Sequence, residues 1–283
     1  MCFGVKDAVA LAHETARHEP LTILGDLVHN ETVVAELRAA GVRVAQQPGD
    51  IRTRTVMVTA HGASRRAMDE TRGSGLKLVE ATCPLVQAAH RAVARLVGEG
   101  FHPVIIGKRD HVEVRGLTGD LDVFDVVLNE KDVARLSERP RFGVVAQTTQ
   151  PIDRVRQLAG LIRERFPKSE VRFVDTVCQP TKQRQNAAVE LAQRCDVVVV
   201  IGGIHSNNTH ELVKTCSRFC ARVHQVQTAS DLCPDWFHPE DTVGITAGTS
   251  TPDTVIAEVE QAIHDWAARC ATHLELLGNS IQK

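Results

Sequence analysis

MCFGVKDAVALAHE at residues 1–14, ATCPLVQAAHRAVARL at 81–96 and TVCQPTKQRQNAAVELAQ at 176–193 decide the fold. In each, a cysteine stands just ahead of a helical pattern, and the three cysteines, Cys2, Cys83 and Cys178, lie 81 and 95 residues apart. That period is long enough for each segment to open a small α/β unit of its own. The landmarks that follow keep step. Apolar runs rich in Val and Ile pass into turns in TILGDLVHNET (22–32), VIIGKRDHVEV (104–114) and VVVIGGIHSNNTHEL (198–212). His29 comes 27 residues after Cys2, His111 comes 28 after Cys83, and Ser206 comes 28 after Cys178.

A third strand, turn and helix follows in VMVTAHGASRRAMDE (56–70), FGVVAQTTQPIDRV (142–155) and VGITAGTSTPDTVIAEV (243–259), whose turns carry His61, Gln147 with Thr148, and Ser250. Short continuous apolar runs alternating with helical patterns read as buried parallel strands and crossover helices. The expected class is therefore α/β, three related units facing a common centre where the three cysteines meet. Their turns fall at carboxyl strand ends, where open α/β sheets gather ligands. Expected boundaries are 1–75, 76–170 and 171–270, with a C-terminal tail at 271–283. The second and third units open on LKLVEATC and VRFVDTVC, whereas Cys2 follows only Met1. A first sheet without its edge strand, or a chain that begins late, is expected, and Cys2 is expected near a mobile terminus.

The 283 residues carry 33 Lys+Arg against 35 Asp+Glu, a formal net charge of −2, with 43% hydrophobic and 24% charged residues. Bulk electrostatics thus argue against a nucleic-acid or membrane-surface protein, and the composition is that of a globular chain. No apolar run is long enough to span a membrane and no leader pattern opens the chain, so cytoplasmic residence is the expectation. Eight spread-out cysteines in such a compartment are reduced thiols free for burial, catalysis or metal binding. Cys195, Cys216, Cys220, Cys233 and Cys270 receive no role beyond packing.

Three thiolates from three units can hold an iron–sulfur cluster with one iron open to a substrate oxygen. A zinc ion held by three cysteines and a histidine is the competing metal, and plain packing the bland one. The turn residues His29, His61, His111, Ser206, Asn208 and Ser250 are neutral or weakly basic donors at expected helix starts, a setting that favours anions such as a diphosphate. Helix capping is the alternative use of the serines and Asn208. Glu113, two residues after His111 in an expected extended stretch, is placed to share its direction; shielded from water, it would stay protonated and serve as an acid. A salt bridge to Arg109 or Arg115 is its bland reading, and Thr148 either relays the proton or caps its turn.

Taken together, CFGVKDAV, LVHN, TAHGAS, EATCPLV, DHVEVRG, AQTT, DTVC, HSNNTHEL and TAGTSTPD, in that order, resemble the LytB family, the 4-hydroxy-3-methylbut-2-enyl diphosphate reductases. The resemblance implies a three-lobed α/β fold around a 4Fe-4S cluster held by Cys2, Cys83 and Cys178. It implies His29, His61, His111, Ser206, Asn207, Asn208 and Ser250 around the substrate diphosphate, Glu113 as proton donor and Thr148 as its partner. The implied reaction is reductive dehydroxylation to isopentenyl and dimethylallyl diphosphate, with electrons from ferredoxin or flavodoxin; no nicotinamide or flavin fingerprint replaces them. Two departures stand out: Asn207 replaces a second serine, and Val112 follows His111 where many members have proline. Other readings are a reductase of a different phosphorylated allylic alcohol, an iron–sulfur sensor without catalysis, and a cofactor-free diphosphate-binding module.

Overall fold

The computed structural model describes residues 1–281, with side chains through Arg269. Its strands form three parallel sheets, distributed over two compact units, one of residues 2–182 and the other of Met1 with residues 183–283. In the first unit α1 (Phe3–His18), β1 (Leu21–Leu24), α2 (Glu31–Ala39), β2 (Arg43–Ala45), β3 (Thr55–Val58), α3 (Arg65–Gly73) and β4 (Lys77–Glu80) build a sheet of order β2-β1-β3-β4. The next stretch repeats the plan. It runs α4 (Pro84–Gly98), β5 (His102–Ile106), α5 (Val112–Thr118), β6 (Asp125–Val127), α6 (Glu130–Ala134), β7 (Arg141–Ala146), α7 (Ile152–Arg165) and β8 (Glu170–Phe173), with sheet order β6-β5-β7-β8.

Helix α8 (Gln179–Ala192) leads into the other unit, where β9 (Val197–Ile201), α9 (Asn207–Cys216), β10 (Arg222–Val226), β11 (Val243–Ala247) and α10 (Asp253–Ile281) give the order β10-β9-β11. All strand pairs are parallel, as the crossover helices require.

Burial on both faces explains the unbroken apolar runs. Val104 and Ile106 of β5 pack with Val155, Leu158 and Ile162 of α7, while Ile105 between them packs with Ala89, Val93 and Leu96 of α4 and with Val114 of α5. The third sheet does the same: Val197, Val199 and Ile201 meet Val255, Val259 and Ile263 of α10, and Val198 and Val200 meet Ala188 of α8 and Leu212 of α9. A two-residue period thus feeds two cores from one strand. No helix of the described residues is long and apolar enough to cross a membrane.

The pairing corrects one expectation. LKLVE and VRFVD do not open the second and third sheets; β4 pairs with β3 and β8 with β7, so each closes the sheet before its cysteine. Adjacency in sequence to Cys83 and Cys178 hid this, because a strand's partners are set by its crossover helix rather than by the segment that follows it. The first sheet therefore has four strands, and it is the third that has three among the described residues. Residues 271–281 of the expected tail continue helix α10, and residues 282–283 lie outside the described residues.

Candidate active site

Each of the three repeated cysteines sits at a helix start. Cys2 and Cys83 are the N-cap residues of α1 and α4, and the Cys178 carbonyl accepts from Lys182 N–H (3.1 Å) in the first turn of α8. Free N–H groups at these positions favour a thiolate. Burial opposes it: Cys83 and Cys178 are both held above the ordinary thiol range chiefly by desolvation, while amide donors from Leu85 and Val86 pull Cys83 back and Thr181 pulls back Cys178. The Thr181 hydroxyl lies 3.0 Å from Cys178 Sγ. The charges of Cys2 and Glu113 add to the upward push on both thiols, which places these groups within electrostatic reach of one another. Gly4 makes the closest approach possible, since a Cβ there would lie 2.4 Å from Cys83 Sγ.

Three imidazoles form a second group. His29 follows β1 and is anchored by Asn30, whose side chain accepts Val33 N–H (3.2 Å) as the N-cap of α2. His61 follows β3 in a turn completed by Gly62 at φ +77°, where the left-handed backbone excludes other residues. His111 is the N-cap of α5, its Nδ1 accepting Glu113 N–H at 3.1 Å. His29 stacks on His61 with ring centroids 4.2 Å apart, and His111 meets both edge-on at 5.1 and 5.5 Å. Glycines on α5 permit this meeting: a Cβ on Gly116 would lie 3.5 Å from Ala63, and one on Gly119 would lie 2.7 Å from Ser64. Asp120 then accepts Arg65 and Arg66 N–H, each at 2.9 Å, fixing the start of α3 beside the His61 turn. The RGLTG spacing at 115–119 is the sequence signal of this close approach.

Burial holds His61 and His111 neutral. His61 titrates well below its ordinary value through desolvation and then the neighbouring His29 and His111; His111 is pushed down to about 3 by desolvation, His29, Lys108 and Arg115. Among the described residues these three histidines are the group of His, Cys, Asp or Glu whose ligand atoms all lie within 4.8 Å of one another. A shared metal ion is nevertheless disfavoured. Because His111 Nδ1 accepts the Glu113 amide, its proton resides on Nε2, which makes that nitrogen a donor suited to an anion rather than a lone pair suited to a cation. The three thiols do not form such a tight group, so the geometry of one zinc ion held by all three is missing as well.

Glu113 is a buried carboxyl of the site, and its setting differs from the expected extended stretch. Residues 112–118 form α5, with His111 capping it, so Glu113 stands in the first helical turn and is 1% exposed. It takes neither Arg109 nor Arg115 as partner; instead Thr148 N–H donates to Oε1 (2.6 Å) and Thr148 Oγ1–H to Oε2 (3.0 Å). Desolvation outweighs both bonds and raises the carboxyl to about 7. Gln147, fully buried after β7, accepts Lys108 N–H (3.1 Å) and so ties the turn that carries His111 to the one that carries Thr148.

The remaining donors lie in the other unit, at the carboxyl ends of β9 and β11. Ser206 caps α9, its Oγ accepting Thr209 N–H (3.3 Å), and is 4% exposed. Asn208 Oδ1 accepts Thr249 N–H (2.9 Å), joining the two turns and leaving its buried Nδ2 without a partner. Ser250 is buried in the second of these turns and Asn207 is half-buried at the first helical position. Thr209 was not anticipated. Its hydroxyl would lie 2.4 Å from a Cβ on either Gly202 or Gly248, so two glycines admit it between the strand ends.

Comparison with known proteins completes the description. The sequence pattern of the family described as LytB protein matches residues 1–264. The chain is 38% identical over 267 residues to the 4-hydroxy-3-methylbut-2-enyl diphosphate reductase of Geobacter metallireducens, covering 93% of this chain and 94% of that one. It is 36% identical over 270 residues to the enzyme of the same name from Aquifex aeolicus, with 93% of each covered. Among solved structures, the reductase from Plasmodium falciparum superposes with a TM-score of 0.86 at 25% identity, over 92% of this chain and 84% of that one. A structure described as (E)-4-hydroxy-3-methyl-but-2-enyl diphosphate reductase, the terminal enzyme of the non-mevalonate pathway, gives 0.68 at 35% identity, over 94% and 96%.

Proposed function

The chain belongs to the LytB family, and from that premise we propose that it reduces 4-hydroxy-3-methylbut-2-enyl diphosphate to isopentenyl and dimethylallyl diphosphate, the last step of the non-mevalonate route to isoprenoids. The reaction replaces a hydroxyl by hydrogen, consuming two electrons and two protons and releasing water. The observation that carries the reading is Glu113, buried against Thr148 within electrostatic reach of Cys83 and Cys178, with its carboxyl near 7. A neutral carboxylic acid at physiological pH is what a poor leaving group such as hydroxide needs.

Cys2, Cys83 and Cys178 would hold a 4Fe-4S cluster. The donor set fits: thiols at three helix starts, two of them held above the ordinary thiol range by burial that a cationic partner would offset, and a glycine that clears space at Cys83. When bound, the cluster supplies electrons one at a time and an iron without a thiolate for the substrate oxygen. The chain's own residues do the rest. His61 and His111 bind the diphosphate as neutral donors beside His29, assisted by Ser206, Asn207, Asn208 and Ser250. Glu113 Oε1 and Oε2 keep their orientation through Thr148, so that the proton is delivered from a fixed position. The walls of the site exclude water from the carboxyl and keep it protonated. Ferredoxin or flavodoxin supplies the electrons, and the enzyme works in the cytoplasm.

The test is anaerobic turnover of 4-hydroxy-3-methylbut-2-enyl diphosphate by cluster-reconstituted protein with a reduced viologen donor, reading five-carbon diphosphates by mass spectrometry. Product that is lost in Glu113→Gln is expected. A brown, iron-loaded protein that yields no product would overturn the assignment.

A further inference from the structure

The proposed reaction needs electrons from outside, and one cleft reaches a proposed cluster ligand. It measures about 560 Å³ and lies between α4 and residues 174–182, with Cys178 in its lining. Leu85, Ala89, Ala92 and Val177 give it an apolar floor. Its rim is basic. Arg91 and Arg95, four residues apart on α4 and hence on one helix face, are exposed and have neither an ion pair nor a side-chain hydrogen bond among the described residues. Lys182 also lines it and pairs with Asp175, the one acid of the lining, at 2.8 Å. Two uncompensated guanidinium groups over an apolar floor suit a protein partner: arginine is enriched at interfaces, and long-range charge steers the encounter while apolar contact holds it.

We propose that this cleft is the docking face for the electron donor, a small redox protein that carries acidic residues around its one-electron centre. The proposal rests on the reductase reading above. Seated there, the donor's centre faces the Cys178 side of the site, since Leu85, two residues from Cys83, and Cys178 itself both line the cleft. Two donor molecules deliver one electron each, becoming oxidised, and the substrate's carbon–oxygen bond is reduced with uptake of two protons and loss of water. Arg91 and Arg95 act on association alone, since neither belongs to the proposed substrate or cluster contacts.

The experiment compares cluster-loaded parent, Arg91→Glu/Arg95→Glu and, as a control of equal charge change, Arg156→Glu/Arg163→Glu on the exposed side of α7. An acidic 2Fe-2S ferredoxin is the probe. Its dissociation constant is measured by calorimetry from low to high salt, and turnover is driven in parallel by ferredoxin and by reduced viologen. The cleft variant is expected to bind the probe at least about tenfold more weakly, with a flatter salt dependence, while viologen-driven turnover and the control variant stay at parental level. Where charge reversal costs iron, Arg91→Gln/Arg95→Gln replaces it, and amide broadening by the paramagnetic probe is mapped on the parent. Equal loss in the control, unchanged affinity in the cleft variants, or broadening away from residues 85–95 and 174–182 would overturn the docking face. Loss of viologen-driven turnover in the parent itself would instead strike the reductase reading.

Discussion

Replacing Glu113 by Gln removes the one ionisation on which the proposed proton delivery depends while keeping size and shape. The amide can still accept from Thr148 N–H, at 2.6 Å in the parent, and turn its NH₂ toward Thr148 Oγ1, at 3.0 Å. The carboxyl stands at about 7 against an ordinary 4.5, which amounts to roughly 3 kcal/mol against the charged form in the folded protein. Two consequences have definite signs. The acid works protonated, so parental turnover is expected to hold below about pH 7 and to fall about tenfold for each pH step above it, whereas the variant loses on the order of 10²–10⁴-fold throughout. Because the folded carboxyl binds its proton more tightly than the unfolded one, folding stability declines as pH rises from 4.5 to about 7 and stays reduced above that. The variant lacks that decline. Turnover from pH 5.5 to 9, together with infrared difference spectra of parent minus variant to follow the carboxyl stretch, measures both the limb and its owner. A flat parental profile, variant turnover within tenfold of the parent, or a carboxyl that ionises near 4.5 would refute the reasoning.

Three further outcomes follow from contacts elsewhere in the site. Thr148→Val deletes the Oγ1 donor but leaves the amide, so the carboxylate loses a stabilising bond and the alkaline limb of turnover moves to higher pH; a shift to lower pH would contradict the assigned bond. Gly4→Ala improves helix propensity by about 1 kcal/mol yet thrusts a methyl group toward Cys83 Sγ, and reduced iron content with unchanged circular dichroism is expected. Ser206→Ala removes a helix cap at a cost of about 1 kcal/mol in unfolding free energy, whereas Ser206→Gly costs only a few tenths. If Ser206 also holds the diphosphate, both variants lose pyrophosphate affinity equally in calorimetry, despite their unequal stability.

Much of this was legible in the chain. The Val and Ile runs at 104–106 and 197–201 announced strands covered on both faces, and the cysteine-before-helix repeat found three helix starts because capping and strand periodicity are local properties. What stayed hidden depends on partners distant in sequence. Nothing within LKLVE tells which sheet β4 joins. The pairing of His111 Nδ1 with the Glu113 amide turned an expected extended stretch into the first turn of α5, a switch that a histidine cap makes without any strong propensity nearby. Gly4 beside Cys83, the glycines of α5 against Ala63 and Ser64, and Thr209 between Gly202 and Gly248 are all close approaches, and a glycine read alone does not say what fills the space its missing side chain leaves. The bond from Thr249 N–H to Asn208 Oδ1, which joins the turns after β9 and β11, likewise links residues 41 positions apart.

If His61 and His111 line the diphosphate seat as proposed, their uncharged state bears on selectivity. A seat of guanidinium or ammonium groups would draw in chloride, bicarbonate and every passing nucleotide, and would be occupied by whichever anion is most abundant. His61 and His111, held neutral by their surroundings, present directed dipoles with little far field. Such a seat is quiet toward monoanions and rewards only a guest that brings several acceptor oxygens at once, so that a scarce diphosphate competes by its shape rather than by its concentration.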